Sequence, residues 1–146
     1  MKANVKFIKL TKMAQAPTRG SSCAAGYDLS AAICENVVIA PHTTVKIGTG
    51  LSVALPDGTF GGVYARSGIA SREGLRPANC TGIVDSDYRG ELIVALHNDS
   101  DHYRIVEPGE RIAQFIVQPY VNVEFEETET LNETERGSGG FGSTGK

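Results

Sequence analysis

The chain has 146 residues and sets 14 Lys and Arg against 17 Asp and Glu, for a net charge of -3, a length that suits one domain able to bury a core without disulfides or metals. No basic run stands out, so a long nucleic-acid polymer is excluded as a partner, because phosphate-backbone binding needs a basic face; a single nucleotide or other small anion remains open. Cys23, Cys34 and Cys80 form no CxxC pair, nothing approaches the roughly 18 apolar residues of a membrane-crossing helix, and MKANVKFIKL does not read as a leader, so a reduced, cytoplasmic protein is expected.

Stretches rich in Val and Ile recur at 5–10, 37–40, 45–47, 51–55, 61–65, 92–96, 103–106, 112–117 and 121–125. Pro41, Pro56-Asp57-Gly58, Asn98-Asp99, Pro108-Gly109 and Pro119 punctuate them, the pattern of an all-β sandwich or barrel. One short helix is expected over 67–73. The run ELIVALH at 91–97 is nearly continuous in apolar residues, so both of its faces are expected to be covered, the second by another sheet or by a neighbouring subunit. Residues 1–126 are taken as the folded body. From Glu126 the acidic EETETLNETE reads as a linker leading to a flexible, glycine-rich tail, ERGSGGFGSTGK. Five glycines make that tail costly to order, yet it carries one aromatic, Phe141, and hydroxyls at Ser138, Ser143 and Thr144.

Four internal stretches carry chemistry. In AAGYDLSAA (24–32), Asp28 is a lone acid among small residues, suited to a metal's water shell, to holding an arginine, or to a turn. In YARSGIAS (64–71), a strand ending at Arg66 and a helix starting at Ser67 would offer free N–H groups beside a guanidinium, an anion site. Ala70 stands where a capping box would want Glu or Gln, and the simpler reading is a serine N-cap. In NCTGIVDSDYRGEL (79–92), Asp85 and Asp87 would point the same way if the chain were extended, and a carboxylate there can take a proton from water; a hairpin turn explains Asp87 and Gly90 equally well. In GERIAQFIV (109–117), Gln114 interrupts an apolar strand and calls for a buried partner or a ligand. His42, His97 and His102 are scattered, and neither zinc-ligand spacing, a G-x-S-x-G elbow nor a P-loop occurs.

Taken in order, AGYDL (25–29), ARSGIA (65–70), NCTGIVDSDYRG (79–90), GERIAQ (109–114) and RGSGGFGSTG (136–145) resemble the five motifs of the trimeric dUTPases across nearly the whole chain. Ala65 replaces a proline common in that family, and 79–81 falls in a variable part of the third motif. The resemblance implies a jelly-roll β fold, a homotrimer whose active sites lie between subunits, and hydrolysis of dUTP to dUMP and pyrophosphate with Mg²⁺. By motif position, Asp85 is implied as the base that activates water, and Arg66, Ser67, Gly68 and Gln114 as the phosphate clamp. Asp28 is implied to support the metal indirectly, through water, and Tyr88 to pack on deoxyribose. Asn79, Gly82, Ile83, Val84 and Ile93 are implied to line the uracil pocket. Arg136 is implied on the γ-phosphate, Phe141 over the base, and Gly142, Ser143 and Thr144 around the phosphates, so that 127–146 would serve as linker and lid. A dCTP deaminase-like enzyme and a non-catalytic nucleotide-binding module are the rival readings.

Overall fold

The computed structural model describes residues 3–141 of the chain. Along these residues run β1 (Lys6–Lys9), β2 (Tyr27–Ser30), β3 (Val37–Ile39), β4 (Thr44–Gly48), β5 (Leu51–Ala54) and β6 (Thr59–Tyr64). After helix α1 (Ser67–Glu73) come β7 (Leu75–Pro77), β8 (Thr81–Val84), β9 (Ile93–Asn98), β10 (Arg104–Val106) and β11 (Arg111–Pro119). The strands form a four-stranded sheet in the order β2-β11-β6-β8, a three-stranded sheet β4-β9-β7, and the pairs β1-β5 and β10-β3, with antiparallel neighbours throughout. This is the expected all-β jelly roll with one short helix.

Alternation builds the core. Val94 and Leu96 of β9 point inward with Ile47 of β4, Leu51 of β5, Leu29 of β2 and Ile112 of β11, all almost fully buried. On the opposite face of β9, Ile93 is 50% exposed and Ala95 and His97 are partly so. The expected double coverage of 91–97 is therefore not provided within the chain. Three strands lack the expected apolar signal for separate reasons. In β2 Leu29 is the one buried apolar residue, β8 opens with Thr81-Gly82, and β7 ends in Pro77, which an edge strand accommodates. Conversely, 121–125 pairs with no strand among the described residues. Pro119 closes the β11 ladder, and Val121, Val123 and Phe125 beyond it are 80%, 59% and 99% exposed.

The helix starts as expected, but its N-cap is Arg66 rather than Ser67, and no side chain bonds the N-terminal amides. Its C-cap, Gly74, has φ of 72°, a left-handed conformation that glycine adopts without a Cβ penalty. At the far end of β9, fully buried Asn98 donates from Nδ2 to the carbonyls of Ile39, Ala40 and His102 at 3.2, 3.2 and 2.7 Å, while its Oδ1 accepts from the N–H and hydroxyl of Ser100. One side chain thus joins β3 and β9 and the turn before β10. Asn98→Ala is expected to lower unfolding free energy by about 2–4 kcal/mol, since carbonyls in a buried setting lose their donor; urea titration followed by circular dichroism measures it.

Candidate active site

The segment that leaves β8 carries most of the candidate chemistry. β8 is an edge strand, hydrogen-bonded to β6 on one side. It is entered by a tight turn in which the Cys80 N–H donates to the Pro77 carbonyl at 3.0 Å with Cys80 at φ 59°. Gly82 permits a close approach there: a Cβ would stand 3.1 Å from Val63 Cβ and 3.4 Å from Asn79 Nδ2. Beyond Val84 the chain bends, and the Tyr88 N–H donates to the Asp85 carbonyl at 3.1 Å. Asp85 and Asp87 therefore lie on a turn and not on an extended face, and of the two Asp85 alone lines the cavity described below. The alternative of a simple hairpin also fails, because β8 and β9 belong to different sheets and 85–92 crosses between them.

That crossover is pinned to the turn between β4 and β5. Thr49 Oγ1 donates to the Leu92 carbonyl at 2.7 Å, the Leu92 N–H donates to the Leu51 carbonyl at 2.7 Å, and Ser52 Oγ donates to the Arg89 carbonyl at 2.8 Å. The Glu91 carboxylate accepts the Gly50 N–H at 2.7 Å and packs where a Cβ on Gly48 would intrude. Tyr88 Oη donates to the Glu91 carbonyl at 3.0 Å, which lays its ring across Gly90; a Cβ there would collide with the ring. Asp85 and Tyr88 are thus presented to solvent from a fixed backbone.

Between the outer edge of β8 and the start of β9 lies a cavity of about 230 Å³. Asn79, Gly82, Ile83, Val84, Asp85, Tyr88 and Ile93, all singled out from sequence, line it together with Glu91. Its lining is chiefly small or apolar residues, with the Asn79 amide and the Asp85 carboxylate among them. A space of this size has room for a flat heterocycle.

A second cavity, about 350 Å³, is lined by Asp28, Arg66, Ser67, Gly68 and Gln114, again singled out from sequence, and by Arg111. Asp28, 15% exposed at its side chain, accepts from Arg66 Nε at 2.9 Å and from Arg111 Nη1 at 3.1 Å, one guanidinium on each oxygen. Arg66 Nη1 also donates to the Arg111 carbonyl at 3.2 Å, and Gln114 Nε2 donates to the Ala65 carbonyl at 2.8 Å, leaving its amide oxygen facing Gly26. Two guanidinium groups against one carboxylate, beside the uncapped start of α1, leave this cavity positive and rich in donors, a receptor for phosphate oxygens. The two cavities share no residue and flank opposite edges of the four-stranded sheet, β8 and β2.

Of the tail residues, Arg136 donates from Nε to the Gly139 carbonyl at 3.0 Å, and Phe141 is fully exposed; neither lines either of these two cavities. Gly142, Ser143 and Thr144 lie outside the described residues. Among the described residues no group of three His, Cys, Asp or Glu side chains converges as a metal cage, and no helix is long and apolar enough to cross a membrane.

The dUTPase family model matches residues 12–145. The chain belongs to the dUTPase family. It is a hydrolase of nucleotide metabolism by that membership. Over 146 residues it is 43% identical to the deoxyuridine 5'-triphosphate nucleotidohydrolase of Desulfitobacterium hafniense, covering 99% of this chain and 97% of the relative. It is 46% identical to the enzyme of the same name from Corynebacterium glutamicum over 145 residues, 99% of this chain and 96% of that one. Among solved structures it resembles the Staphylococcus bacteriophage 80alpha dUTPase with dUpNHpp at a TM-score of 0.86 and 29% identity, covering 99% of this chain and 100% of that one. A dUTPase variant from phage phi11 of S. aureus, described with a structural Mg(II) ion, shares the fold at a TM-score of 0.81 and 24% identity, covering 90% and 100%.

Two residues that line these cavities were not legible in the sequence. Arg111 meets Asp28 because β11 pairs with β2, and an arginine opening a strand carries no local mark of that. Glu91 looks like an ordinary polar residue beside Gly90 until the fold brings Gly50 to it. Glu91→Ala is expected to lower kcat/KM for dUTP by about tenfold, the equivalent of about 1.4 kcal/mol from one charge-assisted hydrogen bond, with a lower melting temperature; steady-state kinetics and a thermal melt check both.

Proposed function

We propose that the chain hydrolyses dUTP to dUMP and pyrophosphate, with the Asp85 carboxylate taking a proton from the water that attacks the α-phosphorus. The observation that carries this reading is the position of Asp85 at the rim of a base-sized cavity walled by the free edge of β8 and the start of β9. Uracil offers O4 as acceptor and N3–H as donor, and cytosine reverses both. A fixed backbone edge that pairs with uracil leaves cytosine with buried unpaired groups, a mismatch worth on the order of 10⁴–10⁵ in selectivity. Asn79 adds an amide to that edge, Gly82 to Val84 and Ile93 supply its backbone, and the rigid wall excludes the thymine methyl by clash. The Tyr88 ring, held over Gly90, packs on the deoxyribose and leaves no room for a 2′-hydroxyl.

Arg66, Ser67, Gly68 and Gln114 clamp the phosphates, with Asp28 holding Arg66 and Arg111 in place. Phosphoryl chemistry depends mainly on such positioning and charge neutralisation. The donor set fits a Mg²⁺ that binds chiefly to phosphate oxygens and water: both Asp28 oxygens already accept from arginine, so Asp28 would support the ion through water. When bound, the ion would offset charge on the triphosphate.

The separation of the two cavities supports a shared site. If the β2 edge of one chain faces the β8 edge of the next, the contact is head-to-tail, and with a threefold rotation between copies it closes into the ring of a homotrimer. Exposed Phe7, Ile8 and Leu10 in and just after β1 and Val121, Val123 and Phe125 beyond β11 supply apolar surface for such an assembly. Residues 1–126 then form the catalytic body, and 127–146 a linker and lid that brings Arg136 to the γ-phosphate, Phe141 over the base and Gly142, Ser143 and Thr144 around the phosphates. Exposed free thiols at Cys23, Cys34 and Cys80 suit a reducing, cytoplasmic setting.

Pyrophosphate release is expected to be far faster from dUTP than from dCTP, dTTP or UTP, and Asp85→Asn is expected to cut kcat by about 10²–10⁴; a variant as fast as the parent would sink the mechanism, and ammonia release from dCTP would point to a deaminase. Deleting 136–146 is expected to cripple dUTP turnover while light scattering still reports a trimer.

A further inference from the structure

Arg76 of β7 divides its donors between two places. Nε and Nη2 donate to the two oxygens of Asp99 at 2.6 and 3.0 Å. Nη1 donates to the carbonyls of Pro77 at 3.2 Å and Ala78 at 3.4 Å, and lies 3.8 Å from Cys80 Sγ. The acceptor end of this fork is itself fixed. The Asp99 N–H donates to the Gly74 carbonyl at 2.9 Å, His97 Nε2 stands 3.5 Å from the Asp99 carboxylate, and the preceding residue is the buried, fully bonded Asn98. The Asp99 carboxyl is held below the usual carboxylate range, first by the hydrogen bond from Arg76 and further by the charges of Arg76, His97 and His42, with burial opposing.

The other end is the turn through 77–80, which carries the Asn79 wall of the smaller cavity; Pro77 and Asn79 both line it. Cys80 holds a left-handed φ of 59°, which a residue with a Cβ adopts only when its surroundings impose it. The turn's own amides bond at Ala95, Pro77 and Asn79. The carbonyls of Pro77, which also accepts the Cys80 N–H, and of Ala78 are gathered by the one guanidinium. Among the described residues, none of the hydrogen bonds made by Arg76 reaches the 85–92 crossover.

We propose that Arg76, anchored by Asp99, is a positioning residue for base selection: by clamping the Pro77 and Ala78 carbonyls it sets where the Asn79 edge of the pocket stands. The inference rests on the reading that this cavity receives the base. Because the crossover bearing Asp85 is untouched, loss of the clamp acts on binding and selectivity and spares the chemical step. A lysine cannot replace it, since one ammonium does not span a carboxylate and two carbonyls at once in a planar fork.

The test is pyrophosphate-release kinetics with dUTP and dCTP for Arg76→Met, Arg76→Lys, Asp99→Asn and Asn79→Ala, each with a thermal melt. Arg76→Met is expected to raise KM for dUTP about tenfold with kcat within about twofold, and to lower the dUTP over dCTP ratio of kcat/KM about tenfold. Arg76→Lys should behave as Arg76→Met does. Asp99→Asn should shift both quantities the same way by less, because its amide oxygen still accepts one bond. A folded Arg76→Met with unchanged KM and ratio overturns the proposal, as does a fall in kcat alone. If Arg76→Met does not fold, Asp99→Asn decides by the same two readouts. Lost base preference in Asn79→Ala but not in the Arg76 variants overturns the positioning role alone; retained preference in both overturns the pocket reading with it.

Discussion

The crossover from β8 to β9 has no ladder of its own, and its shape depends on side chains of the β4–β5 turn and of β5 reaching its backbone. Thr49, fully buried, bonds the Leu92 carbonyl through both hydroxyl and amide, and Ser52 bonds the Arg89 carbonyl. Glu91 returns the contact by accepting from Gly50. Irregular backbone against a core must find partners or lose the free energy of desolvation, so these bonds select one path for 85–92. That path turns Asp85 to the cavity and Asp87 away from it, and it sets the Tyr88 ring flat over Gly90. A group meant to act within a fraction of an ångström benefits from being mounted on such a support.

The edge of β8 illustrates a second constraint. An unpaired strand edge is normally a liability, since its amides and carbonyls invite another strand. Here the edge is short, contains Gly82 and is faced across a cavity by the start of β9. At the opposite edge of the same sheet the problem is charge. Arg66 and Arg111 would repel each other, and Asp28 between them, one oxygen to each, makes their proximity tolerable while leaving an excess of positive charge. An acceptor-rich anion complements such an excess.

Fold class was legible because the strands of the core alternate or run apolar at strand length and are separated by proline, glycine and asparagine. The misses have local causes. β2 has a single inward apolar residue, Leu29, flanked by Asp28 and Ser30, and β7 is so short that Leu75 and Pro77 carry no period. The segment 121–125 has strand-like composition, but composition cannot supply the partner, and beyond Pro119 none of the described strands pairs with it. In 91–97 the run of apolar residues suggested two covered faces, whereas in the folded chain Val94 and Leu96 face the core and Ile93 is half exposed.

By itself the sequence determined which residue types stand in which order: an acid at 28, an arginine and two small residues at 66–68, an acid and an aromatic at 85 and 88, an amide at 114, and an aromatic in a glycine-rich tail. These are local facts, and the all-β character follows from equally local patterns. Tertiary structure decided how they are grouped. It put Asn79, Asp85 and Tyr88 in one cavity and Asp28, Arg66 and Gln114 in another, and it brought Arg111 to Asp28 across 83 positions of chain. It also made Arg66 and not Ser67 the helix cap, leaving the serine free to face the cavity. The physical reason is that strand register and sheet order are set by how distant surfaces pack, so contacts between residues far apart in sequence leave no trace in either neighbourhood.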